Sequence, residues 1–199
     1  TGAVDPGTNL LVSGAAMTGK QDLLFRLLAE GVDQQQGAMV VTTREPATAL
    51  VDEYRSMVDG QPCWFVDCVG SQADGDTVRS VGSPGDLTGI GIEFSESARA
   101  ADEAGIDRVR VGVDSLSPLL LYADLQRVFR FLHVFTSQIQ SRNWLGVFLV
   151  DPDSHEERAV NTLRQLFDGM IELRVEDGVR EARVRGIGDG PSGWVTFEE

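Results

Sequence analysis

The sequence predicts an α/β fold: a mostly parallel central sheet with helices on both faces, followed by a C-terminal antiparallel hairpin. Three observations predict it. Short, continuous apolar runs alternate with segments of helical periodicity, the pattern of parallel strands buried on both faces. The first of these runs leads directly into a glycine-containing loop and then a helix. Near the C-terminus, two alternating runs flank Asp177-Gly178, a two-residue turn signal. The 199 residues contain no repeat and no Pro- or Gly-rich linker, so residues 1–199 read as one domain with one core.

Each element has its own local reason. Leu10 to Ser13 is the first strand, and a helix from about Asp22 to Glu30 is stopped by Gly31. Ala38 to Thr42 is the second strand. Pro46 suits the first turn of a helix running to about Val58, with Leu50, Val51, Tyr54 and Met57 as its apolar stripe. Cys63 to Val69 is the third strand, and the polar, glycine-rich stretch Ser71 to Asp86 reads as a long loop. A weaker helix to about Ala104 precedes a fourth strand, Arg108 to Val113. Leu121, Leu125, Val128, Leu132, Phe135 and Ile139 recur at steps of three and four, which predicts one long amphipathic helix. Gly146 to Val150 is a fifth strand. Ser154 and Glu157 fit a capping box for a helix ending near Phe167. Ile171 to Val175 and Val179 to Arg185 form the arms of the hairpin.

Composition narrows the function classes. The formal net charge is −14, the pI is about 4.5, and among 17 basic residues the only lysine is Lys20. An acidic chain nearly purged of lysine resembles the proteins of salt-loving archaea. Its acidity then reflects the solvent more than a partner. Bare electrostatic binding of nucleic acid is disfavoured, because molar salt strips it. No apolar run approaches the roughly 18 residues of a membrane span, so no membrane partner is expected. Thr1 to Gly7 lack the pattern of a secretion signal. Cys63 and Cys68 lie on opposite faces of a strand and read as buried free thiols, which fits a cytoplasmic location.

The chemistry concentrates in one loop. Gly14-Ala15-Ala16-Met17-Thr18-Gly19-Lys20-Gln21, followed by Asp22 in the helix, carries the pattern G-x-x-x-x-G-K of a phosphate-binding loop. In that motif the glycines let backbone N–H groups converge on phosphate oxygens. The helix N-terminus adds its positive end, and the lysine supplies a mobile cation. With 22 glycines in 199 residues, two glycines framing the sole lysine by chance has a probability on the order of one in eighty. The motif departs from the usual pattern at its last position. There Gln21 stands where a Ser or Thr hydroxyl normally holds Mg²⁺, which puts metal binding and hydrolysis in doubt. Asp114, at the end of the fourth strand, fits the acidic partner that holds Mg²⁺ or its water shell; Asp in that place also serves as a helix cap.

Pro6 to Gly14, Asp114-Ser115-Leu116-Ser117 and Arg183-Val184-Arg185-Gly186 together resemble the KaiC-type branch of the RecA superfamily of P-loop ATPases, in particular its single-domain haloarchaeal members. The resemblance covers essentially the whole chain and implies a three-layer RecA-like fold that binds ATP. The family carries a glutamate pair after the second strand to orient the attacking water. Here Arg44 replaces one member and Glu45 remains, a carboxylate that equally suits a helix N-cap before Pro46. The resemblance also implies that Arg183 and Arg185 reach a neighbouring subunit's γ-phosphate, which makes a homo-oligomer the expected assembly. A surface salt-bridge strand is their other reading. The resemblance further places a sensor at Asp151, at the end of the fifth strand, to which no role is assigned.

Two function classes follow, and a third is weaker. In the favoured one, ATP or ADP gates a regulatory or assembly module, with protein partners and weak or no hydrolysis. Gln21 and Arg44 support it. The alternative is an active oligomeric ATPase using Lys20, Asp114, Glu45 and the two arginines in trans. Against a recombinase-like DNA repair accessory stand the −14 charge and the lack of a basic or aromatic stripe in this chain, whose Trp64, Trp144 and Trp194 are dispersed. His133 and His155 read as structural or surface residues.

Overall fold

A computed structural model describes residues 4–58, 60–70, 77–188 and 193–197. The described elements are β1 (Asn9–Gly14), α1 (Lys20–Ala29), β2 (Gly37–Thr42), α2 (Ala47–Met57), β3 (Cys63–Asp67), β4 (Val78–Ser80), α3 (Leu87–Glu103) and β5 (Val109–Asp114). They continue with α4 (Leu116–Tyr122), α5 (Leu125–Ser141), β6 (Leu145–Val150), α6 (Glu157–Arg164), β7 (Gly169–Glu176), β8 (Val179–Arg185) and β9 (Val195–Thr196). Short 3₁₀ turns occupy Val32–Gln34 and Pro152–Ser154.

The strands join in one sheet of order β4-β3-β2-β5-β6-β1-β7-β8-β9. Strands β4 through β7 in that order are parallel, and β8 and β9 add antiparallel at one edge. The chain is therefore α/β with a mostly parallel sheet and a C-terminal hairpin. Its β7–β8 turn is Asp177-Gly178, with φ of 51° and 79°, the left-handed pair that a two-residue hairpin loop requires.

The inner strands are continuous apolar runs because both faces are covered. Val12, Ala38, Val40, Val147 and Leu149 pack with Leu24, Phe25 and Leu28 of α1 and Leu50 and Tyr54 of α2. Leu11, Met39, Val41, Val111 and Val113 point the other way, against α3, α4 and α5. Phe94, Phe135 and Trp144 centre that second cluster, with Phe94 and Phe135 ring centroids 4.3 Å apart. Cys63 and Cys68 pack into opposite clusters, as strand alternation requires, and both are free thiols. The side chain of Met57 lies outside the described set.

Four expectations are corrected. The stretch read as the loop Ser71 to Asp86 contains β4, a polar edge strand paired with β3 through its backbone, which needs no apolar side chains. Residues 71–76 of that loop lie outside the described residues. The long helix is two: Ala123 is extended, and Asp124 caps α5 by accepting from the Arg127 N–H at 3.0 Å. Leu121 is consequently 76% exposed instead of joining the stripe of Val128, Leu132, Phe135 and Ile139. The capping box does not form. Ser154 ends a 3₁₀ turn capped by Asp151, while α6 begins after Glu156 without a side-chain cap. The helix before Ala104 is not weak: α3 runs 17 residues, with Leu87, Ile90, Phe94, Ala98 and Ala101 buried.

Candidate functional site

The carboxyl ends of the adjacent strands β2, β5, β6 and β1 lie along one edge of the sheet. That is where open α/β sheets carry ligand crevices. Three of the loops there are held in fixed positions. After β1, Thr18 Oγ1 donates to Ala15 O at 2.9 Å, and a side chain on Gly14 would collide with that hydroxyl at 2.5 Å. Gly19 has φ of 82° and turns the chain into α1. After β2, the Thr43 hydroxyl donates to Ser115 O at 2.7 Å and accepts from Ser115 N at 2.6 Å, joining that loop to the end of β5. The Asp114–Ser115 peptide bond there is cis. Asp67, at the end of β3, is buried and accepts from the N–H groups of Ala47, Val69 and Gly70 at 2.8, 2.9 and 2.7 Å. It thereby anchors the start of α2 and the segment Arg44–Pro46 that leads into it.

Within this frame the predicted loop residues come together. Lys20, the first residue of α1, is buried, and its Nζ donates to Gly14 O at 2.9 Å and Ala15 O at 2.8 Å. The loop thus curls around its own lysine. Met17, at the crest, is 88% exposed with φ of 64°. Ala16, Met17, Gly19, Lys20, Gln21 and Asp22 line one cleft of about 520 Å³ together with Arg44, Asp151 and Arg180. A second cleft of about 760 Å³ opens on the other side of Gly14, Ala15, Ala16 and Thr18, towards Asp153, Glu172 and Arg174. Burial lowers the Lys20 ammonium below its ordinary range; Asp151 opposes that shift, Arg44 adds to it, and Asp114 and Asp153 oppose it.

Asp114 is fully buried, and its carboxylate meets Arg44. Arg44 Nε donates to Oδ1 at 3.0 Å and Nη2 to Oδ2 at 3.2 Å. The same Nη2 donates to Gln21 Oε1 at 2.6 Å. Burial raises the Asp114 carboxyl above its ordinary range, and Arg44 works against that rise. Glu45 is exposed beside this cluster. It does not cap α2: the residue at the cap is Pro46, and Asp67 takes the first helical N–H. Among the described residues, no group of three or more His, Cys, Asp or Glu side chains is arranged to hold a metal ion.

Arg183 and Arg185 share a face of β8, and both meet Glu172 on β7 within the same chain. Arg183 Nη2 donates to Glu172 Oε1 at 3.0 Å, and Arg185 Nε lies 2.7 Å from Oε2. Burial would raise the Glu172 carboxyl, but the hydrogen bond and charge of Arg183, with Arg185, hold it below the ordinary carboxylate range. Trp194 lies between Arg174 and Arg183, whose guanidinium carbons stand 4.2 and 4.4 Å from its ring centroid. His155 contributes to the rims of two clefts, while His133 lies on α5 away from the loop.

The sequence reading missed Arg180. It lies on the opposite face of β8 from Arg183, reaches Asp22 at 3.6 Å, and packs against Gly19. The signal was available in the same alternation that paired Arg183 with Arg185, because an even-numbered residue of that strand faces α1. The contact of Arg44 with Gln21 had no such signal, since it joins two loops.

The fold and this edge define an α/β protein with a glycine-lysine loop opening a helix between two clefts. Residues 7–173 match DUF7504, a family of unknown function, and the chain belongs to that family. No curated protein matches the sequence. Among the described residues, no helix is long and apolar enough to cross a membrane.

Proposed function

We propose that this chain is an ATP-binding protein of RecA-like fold, related to the KaiC-type branch, that acts as a nucleotide-dependent regulatory or assembly module in the cytoplasm and hydrolyses ATP slowly or not at all. The observation that carries the reading is the strand-loop-helix unit Asn9–Ala29. Its glycines curl the backbone around a buried lysine at the N-terminus of α1. Backbone N–H groups without helical partners, the positive helix end and an ammonium converge there, the combination that phosphate groups select. Lys20 gives up its two carbonyl bonds to reach a β- or γ-phosphate. Slow hydrolysis follows from Gln21 and Arg44, which stand where groups that hold the metal and activate water would otherwise be.

ATP binding and turnover measured on one sample in molar potassium chloride test the reading, with Lys20→Ala alongside. Saturable binding that falls at least tenfold in Lys20→Ala, with turnover at background, is the expected result. No binding by the unmodified protein refutes it. The second reading, an oligomeric ATPase, draws support from Glu45, exposed beside Asp114 and suited to polarise water. It predicts turnover that disappears in Glu45→Gln while binding survives. Arg183 and Arg185 serve that reading only if Glu172 releases them to a neighbouring subunit.

A further inference from the structure

Gln21, the departure from the phosphate-loop pattern, and Arg44, which replaces one glutamate of the pair after β2, form one structural unit. In the usual arrangement a Ser or Thr hydroxyl after the lysine and the strand-end Asp hold Mg²⁺ between them. Here the corresponding groups are Gln21 Oε1 and the Asp114 carboxylate, and a single guanidinium bonds to both. A serine at position 21 would be too short for that 2.6 Å contact, so the amide and the arginine depend on one another. The donor set does not fit a magnesium ion in that place. Both Asp114 oxygens and the Gln21 oxygen are already committed to a cation, and a neutral amide replaces the hydroxyl.

We propose that Arg44 is the built-in cation of the nucleotide site, standing where a divalent metal would, so that the triphosphate binds without Mg²⁺. The inference rests on the ATP-binding reading above. A guanidinium has five N–H donors. Nε and Nη2 commit three of them to Asp114 and Gln21, and among the described residues Nη1 makes no hydrogen bond. Two N–H groups of a charged donor therefore remain for phosphate oxygens, in the planar geometry that such oxygens accept. Arg44 lines the same cleft as Lys20, so both cations border one ligand space. Its charge also cancels Asp114, which would otherwise repel an anion from that cleft. Held at two points, the guanidinium is oriented before the ligand arrives.

Equilibrium binding of ATP, in excess EDTA and in millimolar Mg²⁺ with the same potassium salt, decides the matter. Wild-type affinity is expected to agree within about threefold between the two conditions. Arg44→Ala should lose about tenfold or more in EDTA, the scale of one charge-assisted hydrogen bond. Arg44→Lys should bind between the two, keeping the charge but not the fork. In Gln21→Ser/Arg44→Ala the hydroxyl and a released Asp114 face each other, and binding should become tighter in Mg²⁺ than in EDTA by about tenfold. Arg44→Lys keeps a cation beside the buried Asp114, so its loss in EDTA decides the matter even where the alanine variants unfold. Wild-type binding in Mg²⁺ that is lost in EDTA overturns the role of Arg44 and leaves the ATP reading standing, as does undiminished EDTA binding by Arg44→Ala. Absence of ATP binding in both conditions removes the ATP reading, and this inference with it.

Discussion

Arg44→Ala and Asp114→Asn break the same ion pair from opposite sides, and they should not cost the same. Asp114 is fully buried, whereas 36% of the Arg44 side chain is exposed. Removing the arginine leaves a carboxylate inside the protein with no hydrogen-bond donor among the described residues. Breaking a buried pair in this way costs about 3–5 kcal/mol. Water entering the space vacated by a partly exposed side chain reduces that to about 2 kcal/mol. Removing the carboxylate instead leaves a neutral amide, and Arg44 turns to solvent or keeps one bond, for about 1 kcal/mol or less. Thermal unfolding at neutral pH should therefore show Arg44→Ala lowered by about 4–8 °C and Asp114→Asn by less than half of that. The pH dependence has a definite sign. Burial already raises the Asp114 carboxyl in the folded protein, and losing Arg44 raises it further. The native state then holds that proton more tightly than the unfolded chain. The deficit of Arg44→Ala is full above the raised folded value and shrinks as pH falls through it. Asp114→Asn matching or exceeding Arg44→Ala, or an Arg44→Ala deficit that grows in acid, would refute the reasoning.

Other perturbations test other parts of the structure. Asp67→Ala removes an acceptor shared by three backbone N–H groups and should cost about 2–3 kcal/mol in urea unfolding, because the N–H groups of Ala47, Val69 and Gly70 lose their partner; a cost below about 0.5 kcal/mol would show that water or a local shift replaces it. Glu172→Gln should lower stability by about 1 kcal/mol at neutral pH. Since Arg183 and Arg185 hold the Glu172 carboxyl below its unfolded value of 4.5, that difference should persist above pH 4.5 and fade as the pH drops below it, whereas a constant offset across the acid range would contradict the ion-pair account. Burial pushes the thiols of Cys63 and Cys68 up to about 12, so a disulfide reagent at pH 8 should label native protein far more slowly than protein in denaturant, and equal rates would rule out burial of both.

The legibility of this protein in its sequence follows the range of the forces involved. Strands and helices answer to neighbours two to four residues away. The parallel strands, α1 and the Asp177-Gly178 turn could therefore be read directly. The same short range explains the misreadings. The edge strand Val78–Ser80 is defined by a backbone partner on β3, with no apolar pattern of its own. The step from Leu121 to Leu125 kept helical spacing across a break that Asp124 imposes by capping α5.

Sequence alone determined the glycine-lysine loop, because curling a backbone through φ of 82° and opening a helix are local demands on residues 14–20. It also determined that Arg183 and Arg185 share a face, by strand alternation. Tertiary structure decided what those side chains meet. Arg183 and Arg185 meet Glu172 because β7 lies beside β8, and Arg180 meets Asp22 because α1 begins next to that hairpin. Above all it decided Arg44. In the chain this residue is one arginine among 16. In the fold it joins Asp114 to Gln21, because β2 lies next to β5 and α1 crosses the sheet above them. An ion pair between residues 70 positions apart depends on which strands become neighbours, and no local propensity encodes that choice.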